Sequence, residues 1–194
     1  MISNDEELLE ITTDVGEKIQ QIHDYLGERN HPNGAIKFPR GYLRRCVEHR
    51  KKYDFISDHI LKSNIAYTLL QTDLFRWLLN RTDISGQAKE MLIKKEISSI
   101  GAIIESITKH YLHGRRGGGK NYKYRSNVLV DEGIITKELK INIDWVWDVR
   151  SGEHLMLLEQ REWKVYEMKD CNKAIRTLHE LRNKLNSHNN KGGF

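Results

Sequence analysis

The feature that most constrains this chain is a row of six apolar residues, Ile93, Ile97, Ile100, Ile104, Ile107 and Tyr111, spaced alternately four and three apart. On an α-helix such residues share one face, giving a continuous seam about five turns long. On a strand they would scatter to both faces. Residues 84–113 are therefore predicted to form one long helix, with Asp83 and Ser85 both suited to cap it. A seam this narrow needs a cover: other helices of a bundle, or a second copy of the chain.

The rest of the sequence repeats the helical period. Leu8, Ile11, Val15, Ile19, Ile22 and Leu26 mark a first helix over Asp5–Leu26, broken by the turn residues of Asn30-His-Pro-Asn-Gly34. A second helical region is expected to begin near Phe38-Pro39, where proline suits a first turn, and to continue, with or without a break, through Asp54 and Lys62. Tyr67, Leu70, Leu74 and Trp77 outline the apolar face of a third, ending near Asn80. Asp131-Glu-Gly133, between Val128-Leu-Val130 and Ile134-Ile135, reads as a helix–turn–helix connection. Ile141, Ile143, Trp145, Trp147 and Val149 alternate as a strand would, yet Ile143, Trp147, Arg150 and His154 also make a helical stripe. Helix is preferred, since a lone strand has no partner. The last helix is expected to start at Asp170 as its cap and to bury Ala174, Leu178, Leu181 and Leu185.

With only two prolines and its glycines bunched, the chain reads as an all-α multi-helix bundle. At 194 residues it suits a single domain, 1–194: N-terminal helices over 5–81, the long helix over 84–113, a basic Gly-rich loop over 114–127 and C-terminal helices over 128–190. Hydrophobic residues at 38% and charged residues at 30% exclude a disordered chain. No apolar run is long enough for a bilayer, and the acidic start Met1-Ile-Ser-Asn-Asp-Glu-Glu is unlike a secretory signal, so a cytoplasmic protein without a membrane partner is expected. Cys46 and Cys171, alone and far apart, read as reduced thiols. His110 and His113 have no carboxylate or cysteine at ligand spacing, so neither a metal nor another cofactor is expected. Gly114-Arg-Arg-Gly-Gly-Gly-Lys120 nearly spells a phosphate-binding loop, but Asn121 stands where Ser or Thr is needed and a helix precedes it where a strand should.

The net charge of +5 is mild, but its distribution is not. One basic cluster contains Lys37, Arg40, Arg44, Arg45, Arg50, Lys51 and Lys52; another contains Arg115, Arg116, Lys120, Lys123 and Arg125, interleaved with Tyr122 and Tyr124. Clustered cations neutralise phosphates, and tyrosines stack on unpaired bases, so RNA is the partner these clusters fit. Two ordinary solvated faces are the alternative.

Two Arg-plus-His pairs remain. Arg150 and His154 are four apart, so a continuous helix places them on one face. Arg182, followed by Asn183, precedes His188 by six positions, which puts the two well apart around a regular helix. At these residues the chain resembles the HEPN superfamily, small α-helical domains found in prokaryotic toxins and antiphage effectors. The superfamily hallmark is an Arg, usually followed by a polar residue, with roughly four to six residues between that Arg and a His. Arg182-Asn183 with His188 matches that spelling; Arg150 and His154 match the usual position, with a further helix following them. The resemblance covers about the last seventy residues. It implies metal-independent RNA cleavage: the His moves the proton of a ribose 2′-OH, and the Arg holds the phosphate. It further implies a homodimer that joins two such sets, and an antitoxin or defence-system partner protein. A non-catalytic helical module that dimerises and binds RNA or protein is the rival reading, and a helical adaptor without a nucleic-acid role is the third.

Overall fold

A computed structural model of the chain describes residues 1–153 and 164–191. Among them are seven α-helices, one 3-10 turn and no strand, so the all-α class holds. No helix among the described residues is long and apolar enough to cross a membrane. The chain divides into two compact units, Met1–Arg40 and Gly41–Phe194.

The first unit is built on α1 (Asp5–Leu26), at the predicted bounds. Asn4 caps it, its side chain accepting from the Glu7 N–H at 2.8 Å, and acidic residues fill the first turn where the helix dipole favours them. The apolar stripe from Leu8 to Ile22 stays exposed, and no residue of α1 is buried. A 3-10 turn at Pro32–Gly34 follows, with Leu26 so close over Gly34 that a Cβ there would lie 2.6 Å from its methyl group.

The second unit contains α2 (Cys46–Arg50), α3 (His59–Arg81), α4 (Gly86–Tyr111), α5 (Tyr122–Asp131), α6 (Lys137–Ser151) and α7 (Met168–Lys191). Helix α4 is its axis, packed against α3, α5, α6 and α7, while α6 and α7 also touch each other. The isoleucine seam lies inside this bundle: Ile93, Ile97, Ile104 and Ile107 are 0% exposed and Ile100 1%, so the chain itself covers the seam. Gly101 lets α6 come close, since a Cβ there would stand 3.0 Å from that of Arg150. From α7, Ala174, Leu178, Leu181 and Leu185 enter the same core, as predicted.

Four expectations need correction. No helix forms from Phe38 through Asp54; only the short α2 does, because Gly41, with φ of 86°, turns the chain out of helical geometry and Arg45 is still extended at its N-cap. Helix α3 begins at His59, with Asp58 capping the N–H groups of Ile60 and Leu61. Its buried face is Ile65, Ala66, Leu69, Thr72, Asp73 and Leu79, whereas Tyr67 is exposed and Leu70, Leu74 and Trp77 are half-buried. Asp170 does not cap α7 from outside. It lies within the first turn and accepts a hydrogen bond from the Glu167 N–H at 2.9 Å.

Candidate functional site

Helix α6, which carries Arg150, ends at Ser151, and Gly152 closes it. His154 lies outside the described residues. Arg150 is held within the bundle: its guanidinium pairs with Glu105 on α4 at 2.9 Å and lies 4.9 Å from the Trp147 ring centre. Trp147 in turn stacks on Tyr122 at 4.4 Å. A small cleft lined by Trp147, Arg150, Ser151 and Glu153 opens beside them. The arrangement joins α4, α5 and α6 and leaves Arg150 occupied by a carboxylate.

The basic residues of the Gly-rich loop divide in a similar way. Arg116 pairs with Asp131 at 3.5 Å and Lys123 with Asp148 at 2.9 Å, while Arg115 lies over the Tyr111 ring. Lys120 is exposed. Arg125 departs from the predicted surface cluster: it is 4% exposed, donates to the Lys120 carbonyl at 2.5 Å and faces Glu105 at 3.8 Å. It braces the loop from inside and offers nothing to a ligand on the surface.

The C-terminal pair stands on one continuous helix, because α7 runs to Lys191. Six residues on such a helix are about 120° apart around the axis and about 9 Å along it, so Arg182 and His188 do not meet within one chain. His188 Nδ1 lies 2.6 Å from the Tyr111 hydroxyl. Arg182 instead lies over the Tyr53 ring, 5.9 Å from its centre, and donates to its neighbour Asn183 Oδ1 through Nε at 3.3 Å and Nη2 at 3.1 Å. Tyr53, Phe55 and Tyr111 form an aromatic row between the two places, at 6.2 and 6.0 Å.

Around Arg182 the structure assembles a group that the sequence reading did not single out. Arg44 grips Asp73 of α3 with Nε and Nη2, and His49, itself 1% exposed, places Nε2 3.1 Å from the same carboxylate. Asp73 thus fixes the 44–53 segment against α3, and Asn186 of α7 fastens the other side by donating to the Lys52 carbonyl at 3.1 Å. The result brings Arg44, Lys52, Arg76 and Arg182 into one electrostatic neighbourhood with His179 of α7. Lys52, Arg76 and Arg182 make no ion pair among the described residues. His179 reaches solvent, but its ring is partly shielded, and its pKa is pushed down to about 4, by desolvation first and then by the positive charge of Arg182, Lys52, Arg44 and Arg76. Neighbouring Lys52 is lowered too, by burial and then by Arg44 and Arg182. Two buried polar atoms beside the group, Tyr53 Oη and Asn186 Oδ1, take no hydrogen bond of good geometry among the described residues. Buried polar groups without partners are uncommon and cluster at functional sites.

Behind this face Glu96 of α4 is 0% exposed, and neither carboxylate oxygen has a partner of good geometry. Burial raises its pKa to about 7 against the pull of the nearby Cys171 thiol and Arg76, and Cys171 itself is raised well above the usual thiol range. An acid raised from 4.5 to about 7 on folding keeps its proton in the native state while the unfolded chain gives it up. Stability from this group therefore falls between pH 4.5 and 7, by about 3 kcal/mol in all, with the cost absent below that window and complete above it. Glu96→Gln should remove this slope, so the gap in urea midpoint between variant and parent widens towards pH 8; parallel curves would show that Glu96 does not titrate this way.

Among the described residues no group of three or more His, Cys, Asp or Glu is arranged to hold a metal ion. No protein family, curated protein or solved structure matches the chain.

Proposed function

We propose that the chain binds RNA on the α7 face and acts as a HEPN-like, metal-independent endoribonuclease of a toxin–antitoxin or antiphage system. The observation that carries this reading is Arg182, held by Asn183, half-exposed and in one electrostatic neighbourhood with Lys52, Arg76 and Arg44. Residues 1–40 hold eight carboxylates against four cations, so the second unit carries a net charge of +9 and supplies a favourable field for a polyanion. A guanidinium fixed in this way suits two oxygens of one phosphate, and nearby cations offset the charge that builds on phosphorus during in-line attack.

A non-catalytic RNA-binding module is the second reading, favoured by one observation: His188 is turned away from Arg182 and engaged by Tyr111. Incubation with single-stranded RNA in EDTA separates the two. The nuclease reading expects products with cyclic-phosphate ends. Salt-dependent binding without cleavage supports the module, and absence of RNA binding at low salt overturns both.

A further inference from the structure

The nuclease reading lacks a histidine beside Arg182, since His188 faces elsewhere. We propose, resting on that reading, that His179 is the general base paired with Arg182 at the scissile phosphodiester, with Lys52 and Arg76 adding positive charge beside them. His179 and Arg182 are three residues apart on α7, so their side chains are neighbours on one helix face, about 60° apart and about 4.5 Å along the axis. Both reach the surface, His179 openly and Arg182 by half. Asn186 of α7 holds the Lys52 carbonyl at 3.1 Å and Arg182 lies over the Tyr53 ring, so the 44–53 segment runs beside this part of α7, and Arg76 on α3 adds positive charge to the same neighbourhood.

The chemistry then balances. Neutral His179 takes the proton from the ribose 2′-OH as that oxygen forms a bond to the adjacent phosphorus, and the bond from phosphorus to the 5′ oxygen breaks. The products are a 2′,3′-cyclic phosphate and a 5′-hydroxyl, whose oxygen takes its proton from water. The cations facing His179 are Arg182 on its own helix, Arg44 and Lys52 on the segment before α3, and Arg76 on α3. Loss of hydration first, and their positive charge second, hold the imidazole below its ordinary pKa, so it is neutral at neutral pH. A bound phosphate offsets part of their charge, so the base strengthens when substrate arrives.

The test is cleavage of a short uridine-rich single strand by the full chain in EDTA. His179 is exposed, so His179→Ala should retain the parent's thermal midpoint and circular dichroism and bind RNA within about threefold of it. Its saturated cleavage rate should fall about 10²–10⁴-fold, and added imidazole should restore at least part of that rate, which a structural role would not allow. A His179→Ala chain that cleaves at the parent's rate overturns the inference, as does a loss that imidazole leaves untouched. If His188→Ala alone abolishes cleavage, the nuclease reading stands with the motif histidine and His179 is excluded. If the parent chain binds RNA but never cuts it, both fall.

Discussion

Arg182→Ala should lower the saturated cleavage rate of single-stranded RNA expected of the proposed nuclease by about 10²–10³-fold, the usual effect of losing one fixed donor to a developing oxyanion. The guanidinium is pre-positioned by Asn183 Oδ1 and by the Tyr53 ring, so it needs little reorganisation when a phosphate arrives. Lysine keeps the charge but not the planar fork, so Arg182→Lys should recover RNA affinity more than rate. Because Arg182 also covers Tyr53, both variants need a thermal midpoint near the parent's for the comparison to count. Wild-type rates in Arg182→Ala would leave the α7 face without a catalytic role.

Ile104→Ala destabilises the chain by about 2–5 kcal/mol, the range for truncating a fully buried isoleucine. Ile104 is 0% exposed at the middle of the seam, where α4 is enclosed by its neighbours, so the cavity has little room to collapse. The thermal midpoint should fall by about 2–4 °C for each kcal/mol in a chain of this size. Ile60→Ala, on an isoleucine 74% exposed, is the control and should change stability by about 0.5 kcal/mol or less. Equal effects from the two would mean that α4 is not the axis of the fold.

The helices were legible where their buried faces are purely apolar. The seam of α4, the stripe on α7 from Ala174 to Leu185 and the bounds of α1 all follow from three-to-four spacing. Helix α3 was misread because its inner face carries Thr72 and Asp73, which no hydropathy pattern selects, while Tyr67 and Trp77 form an apolar stripe about 100° away. The same cause hid the candidate site. Asp73, His49 and Glu96 are polar residues at buried positions, stabilised or perturbed by partners far along the chain, and such departures from local rules are expected at functional sites. His179 and Arg182 were adjacent on the helix all along, but a three-residue spacing is too common to stand out. Only the folded chain brings Arg44, Lys52 and Arg76 to them. The inner pair is a different case: α6 stops at Ser151 and His154 lies outside the described residues, so the four-residue spacing decides nothing about it.

The central claim is that Arg182 meets a phosphate of bound RNA. The most direct measurement is the salt dependence of affinity for a short single strand, by fluorescence anisotropy, in the parent chain and in Arg182→Ala. Affinity should fall linearly with salt on logarithmic axes, with a slope smaller by about one in the variant, as the loss of a single phosphate contact requires. Identical slopes and affinities in the two chains would contradict it.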